Sequence, residues 1–154
     1  SYYDWFTEFY DQVHWFTASV EVEGEIIGTI SCGLCIFVGV THNDSKAVAE
    51  KLAKKIAELR IFEDDEGRMN LSSLQIDAQM LVISQFTLYG DISRGRRPSW
   101  VAAAPPEQAE SLIQYFVECL SVDHGISVET GQFQAFMNVS LINEGPATLM
   151  IEVN

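Results

Sequence analysis

Two uninterrupted apolar runs constrain this chain most, Leu34-Cys35-Ile36-Phe37-Val38-Gly39-Val40 and Met80-Leu81-Val82-Ile83. A strand with one face in water alternates polar and apolar side chains. A run without alternation reads as a strand buried on both faces. The first run is therefore expected as a central strand and the second as a buried one. Directly after the second run, Ser84-Gln85-Phe86-Thr87-Leu88-Tyr89-Gly90-Asp91 sets polar residues at the end of an apolar strand. Its continuation would bring a hydroxyl, an amide and several backbone N–H groups to one edge of the fold.

The remaining elements sort by period. Ala18 to Ile30 alternates around Glu23-Gly24, with Val20, Val22, Ile26 and Ile27 near the turn, and predicts a β-hairpin. Asn43, Asp44 or Ser45 can cap a helix whose apolar positions are Val48, Leu52, Ile56 and Leu59, ending before Arg60. Pro105-Pro106-Glu107 opens a second helix, with Ala109, Leu112, Ile113, Phe116, Val117 and Leu120 on one face and Gly125 closing it. Strand-like runs come next at 126–130, 138–142 and 148–153. Two helices among many strands, without regular βαβ alternation, predict an α+β fold: largely antiparallel or mixed sheets with both helices packed on one side. At 154 residues the chain is expected to be a single domain.

Composition excludes several functions. No apolar run approaches the ~18 residues that span a membrane. The start, Ser1-Tyr2-Tyr3-Asp4-Trp5-Phe6, lacks the basic opening of a secretory signal, so a cytoplasmic setting is expected and the sequons at Asn70 and Asn138 stay unmodified. Three cysteines make no disulfide scaffold. Cys32-Gly33-Leu34-Cys35 has zinc spacing but opens a strand, where residues three apart face opposite ways, so buried packing is expected. Glu63-Asp64-Asp65-Glu66-Gly67 lacks the alternating ligands and distal glutamate of a calcium loop and predicts a solvated turn. No metal or cofactor is expected. A net charge of −13 argues against broad nucleic-acid affinity, so any RNA contact must be local and DNA is not an expected partner. Arg94-Gly95-Arg96-Arg97 holds a third of the nine basic residues; it is a solvated turn or a phosphate-contacting loop.

Ser84 and Thr87 invite a hydrolase reading, in which a base activates a hydroxyl. Ser84 lies outside a Gly-x-Ser-x-Gly elbow, and only His14, His42 and His124 offer an imidazole. Thr87 is equally a strand residue of high β-propensity, and Gly145-Pro146 an ordinary turn.

Ser84-Gln85-Phe86-Thr87-Leu88 and Asn143-Glu144-Gly145-Pro146-Ala147-Thr148 resemble the two signature motifs of the D-aminoacyl-tRNA deacylases, formerly the D-Tyr-tRNA deacylases. Ala18-Ser19-Val20, Gly39-Val40-Thr41-His42, Arg60-Ile61-Phe62, Met69-Asn70-Leu71, Arg96-Arg97-Pro98-Ser99 and Gly131-Gln132-Phe133 extend the likeness from Ala18 to the C-terminus. The resemblance implies a homodimeric hydrolase, with active sites at the subunit interface, that cleaves the ester between a D-amino acid and the terminal adenosine of tRNA. It implies a cis Gly145-Pro146 pair reaching into the partner's site, where two parallel carbonyls would hold the α-ammonium group and an L side chain would collide. Amides around Phe86 and Thr87 would bind the ester oxyanion. Ser84 and Gln85 would place the adenosine, Phe133 and Met137 would line the pocket, and Arg94, Arg96 and Arg97 would meet tRNA. The ribose 2′-hydroxyl would assist, so no protein nucleophile is compulsory.

The chain departs from the family at three places. His14 stands where the family has an arginine that steadies the Gly-Pro loop. Phe136 stands where an acidic residue is common, and residues 1–10 read as an N-terminal extension. A non-enzymatic nucleic-acid-binding relative and, behind it, a conventional Ser/Thr esterase are the alternatives.

Overall fold

The computed structural model describes residues 2–7, 18–144 and 146–154, the first segment in its backbone course alone. His14 and Gly145 lie outside the described residues, and with them the expectations placed on the arginine substitution and on a cis Gly145-Pro146 bond.

In chain order the elements are β1 (Tyr2–Thr7), β2 (Ala18–Val22), β3 (Glu25–Ile30), β4 (Gly33–Val38), α1 (Lys46–Glu58), β5 (Arg60–Glu63), β6 (Met69–Ser72), α2 (Ser73–Ile76), β7 (Gln79–Ser84), α3 (Pro106–Glu118), β8 (Val128–Thr130), β9 (Asn138–Ser140) and β10 (Thr148–Ile151). The main sheet runs β10-β1-β4-β7-β8, antiparallel through β4 and parallel from there on. A second sheet, β3-β2-β9, is antiparallel, and β5-β6 is a separate hairpin.

Both apolar runs are inner strands, paired from Gly33↔Gln79 to Val38↔Ser84. Their alternation explains why no polar residue interrupts them. Leu34, Ile36, Met80 and Val82 face α1 and α3, against Leu52, Ile56, Phe116 and Leu120. Cys35, Leu81 and Ile83 face the second sheet, against Ala18, Val20 and Ile30. Burying each large side chain contributes roughly 1.5–3 kcal/mol, so the layer order of helices, main sheet and second sheet follows from these two strands. Both long helices lie on one side, as the sequence predicts.

Local chemistry sets the element ends. Ser45 caps α1, its hydroxyl accepting from the Val48 amide. Pro105 precedes α3 and Glu107 sits in its first turn; after Glu118 the helix widens into a π-turn, Cys119–Asp123. The hairpin turns at Glu23 and Gly24, both at positive φ (50° and 84°), the sense that suits strand twist. A bulge between Val20 and Glu21 shifts the register, and Ile26 and Ile27 remain exposed. The acidic turn after β5 closes on Asp64, whose carboxylate accepts from the Glu66 and Arg68 amides at 2.9 and 3.0 Å and from Asn70 at 3.0 Å. These bonds, the Arg68 amide foremost, hold its pKa below the ordinary value.

Several sequence expectations are corrected. A third helix, α2, is present because Ser72 and Gln75 form a reciprocal capping box, a spacing the sequence displays. The last three strands are shorter than their apolar runs. Cys32 is half-buried, although Cys35 is buried as expected. The segment after Ser84 does not continue the strand: Phe86–Tyr89 is a turn of 3₁₀ helix, and Thr87 belongs to it. Apart from these corrections, Tyr2–Thr7, within residues 1–10, lie between β10 and β4 in the main sheet. Among the described residues no helix is long and apolar enough to cross a membrane.

Candidate active site

Ser84 ends β7 opposite Val38, and the Gln85 amide still reaches the Val38 carbonyl at 2.8 Å. The chain then leaves the ladder. The first bond of the 3₁₀ turn runs from the Leu88 amide to the Gln85 carbonyl at 3.2 Å. The Phe86 and Thr87 amides precede it, so the turn itself does not consume them. The Gln85 side-chain amide donates to the Thr87 hydroxyl. Thr87 is exposed, and its hydroxyl already has a partner.

Beside this turn opens a cleft of ≈ 940 Å³. Ser84, Gln85 and Phe86 line it, and so do Phe133 and Met137, which the sequence expectation brings to the same place. Phe133 packs on Val40, Ala104 and Ala109, and Met137 on the core beneath the second sheet, so each serves both the core and the cleft. Phe136, on the same segment, is fully exposed. None of the lining residues is titratable. His42 lies outside the cleft, its Nε2 donating to the Val101 carbonyl at 2.6 Å, and His124 follows α3 at the π-turn. Among the described residues no cluster of three His, Cys, Asp or Glu could hold a metal.

Arg94, Arg96 and Arg97 are exposed on a loop outside the cleft lining. Paired backbone bonds between Asp91 and Ser99, at 2.8 and 2.9 Å, close that loop. The Ser93 hydroxyl, then its amide, holds the Asp91 carboxyl below its usual pKa. Pro146 is exposed in the connection between β9 and β10 and does not line the cleft of its own chain. Asn143 Nδ2 donates to Thr148 Oγ1 at 2.9 Å across that connection.

Trp100 is the residue that sequence reasoning missed. It meets Phe86 edge to face, with centroids 5.5 Å apart and planes at 71°. Gly90 makes the contact possible, since a Cβ there would lie 2.4 Å from the indole. The only signal in the sequence was a glycine just beyond the first motif.

A family model described as D-Tyr-tRNA(Tyr) deacylase matches residues 14–152. The chain belongs to that family. A D-aminoacyl-tRNA deacylase of Chloroherpeton thalassium is 57% identical over 135 residues, covering 88% of this chain and 89% of that protein. One from Bacillus thuringiensis is 54% identical over 135 residues, covering 88% and 92%. Among solved structures, the c-Myc DNA Unwinding Element Binding Protein superposes with a TM-score of 0.86 at 31% identity, over 99% of this chain and 98% of that one. A probable eukaryotic D-amino acid tRNA deacylase superposes at 0.80 with 14% identity over the same shares, which shows the shared fold alone. Of the segment Ser84-Gln85-Phe86-Thr87-Leu88, Ser84 ends β7 and Phe86 to Leu88 lie on the 3₁₀ turn beside the cleft.

Proposed function

We propose that this protein hydrolyses the ester joining a D-amino acid to the terminal adenosine of tRNA, releasing free D-amino acid and tRNA. The observation that carries the reading is the chemistry of the cleft. Among the described residues its lining holds no imidazole, carboxylate or amine, so that lining offers no base to a protein nucleophile. Phe86 lines the cleft, and the amides of Phe86 and the adjoining Thr87 stand ahead of the first bond of the turn. Such donors favour the oxyanion that develops on an ester carbonyl. The adjacent ribose 2′-hydroxyl supplies intramolecular assistance, and water completes the hydrolysis. Ser84 and Gln85 position the adenosine, Phe133 and Met137 wall the pocket, and Arg94, Arg96 and Arg97 meet tRNA phosphates.

Chirality enters through a second subunit. The Gly145-Pro146 connection of one protomer completes the cleft of its partner and rejects L side chains by collision. The enzyme works as a homodimer, in the cytoplasm, with residues 1–154 forming one domain and 1–10 preceding its family core.

A second reading, a nucleic-acid-binding relative without activity, is favoured by the name of the neighbour that is 31% identical. Incubation with D-Tyr-tRNA and with a simple activated ester separates the readings. Deacylation predicts tyrosine released from the tRNA alone; tRNA bound without release supports the binding relative; cleavage of the simple ester supports a general esterase.

A further inference from the structure

Trp100 leaves 43% of its surface exposed at the cleft mouth, yet its backbone is tied on both sides. Before it, Asp91 and Ser99 exchange backbone bonds. Its own carbonyl accepts from the Ala103 amide at 3.0 Å. After it, the Val101 and Ala102 carbonyls accept from His42 Nε2 and Thr41 Oγ1, both at 2.6 Å. Gly90 opens the space the ring occupies, and Phe86 braces it edge-on. An indole fixed this firmly while half in water is a preorganised surface for another flat apolar group. The three exposed arginines, a third of the basic residues on a chain of charge −13, stand three to six residues before it. Aromatic surface beside local positive charge is the combination that binds single-stranded nucleic acid.

We propose that Trp100, braced by Phe86, is a stacking platform for the unpaired base of the nucleotide preceding the terminal adenosine, whose phosphates face Arg94, Arg96 and Arg97. The assignment rests on the deacylase reading and names how the acceptor strand is held at the cleft mouth. Stacking tolerates any base, so the platform serves every tRNA and selects none. It leaves the cleft itself to the terminal nucleoside and its ester.

Equilibrium binding of short RNA hairpins with a single-stranded CCA end tests this without requiring turnover. One hairpin carries cytidine before the last adenosine and the other an abasic residue at that place. The native protein is expected to prefer the cytidine form by about tenfold, from the ~1–3 kcal/mol of a base–aromatic stack. Trp100→Leu should abolish the preference and Trp100→Phe should retain it. Equal weakening of both hairpins by Trp100→Leu, or no preference in the native protein, would overturn the platform. D-Tyr-tRNA hydrolysis measured alongside keeps the two ideas apart: a preserved base preference without hydrolysis sinks the deacylase reading and leaves the platform standing.

Discussion

Thr87 carries two groups of different chemical use. Its hydroxyl, the apparent nucleophile of the sequence, accepts from Gln85 and stands beside a cleft with no titratable lining residue. Its amide is the part to which the proposed function assigns a catalytic role. Thr87→Ala should therefore lower the single-turnover rate only about tenfold, since the amide remains, whereas removal of a true nucleophile costs on the order of 10⁶-fold. Rapid-quench measurement with D-Tyr-tRNA distinguishes the two. The residue types of the candidate site were legible in Ser84-Gln85-Phe86-Thr87, but the 3₁₀ conformation was not. Phe86, Thr87 and Tyr89 all favour strands, and only the Gln85 amide bonded back to Val38 shows where the ladder is left.

Among the elements, two adjacent serines behave oppositely. Ser72 caps α2 reciprocally with Gln75, whereas the buried Ser73 Oγ has no hydrogen-bond partner among the described residues. Ser72→Ala should cost about 1 kcal/mol in urea unfolding, while Ser73→Ala should cost nothing or stabilise slightly. The β5–β6 hairpin carries a pH dependence of definite sign. Asp64 has a folded pKa below its ordinary 3.8, so its contribution is present above that value and drains as pH falls through the folded one. Unfolding midpoints between about pH 5 and pH 3 should fall more steeply for the native protein than for Asp64→Asn. Helix positions were legible because Ser45, Pro105 and Pro106 are local signals; α2 was legible too, in Ser72-x-x-Gln75, but is too short to show periodicity. The Trp100 clamp was not, because it joins Gly90, Thr41 and His42, distant in sequence and close only after folding.

Across the whole molecule, acidity and RNA recognition have to coexist. With a net charge of −13 and three exposed arginines in one loop, tRNA affinity should carry a weak salt dependence. The slope of log K against log salt is expected near −2, about −0.7 for each of three phosphates, and should flatten when Arg94, Arg96 and Arg97 become alanine. A steep slope would mean that a wider surface binds. That the two apolar runs need a cover on each face was legible, since they are buried on both; that a second sheet covers the face opposite the helices was not. Pro146, which the resemblance places in the site of a partner, does not line the cleft of its own chain.

If the cleft hydrolyses aminoacyl esters as proposed, it must also read handedness at their α-carbon. Single-turnover release of tyrosine from D-Tyr-tRNA and from L-Tyr-tRNA, with enzyme in excess over both, decides this without interference from product release. Rapid release is expected from the D ester and none above background from the L ester; equal release from the two would contradict the chiral reading.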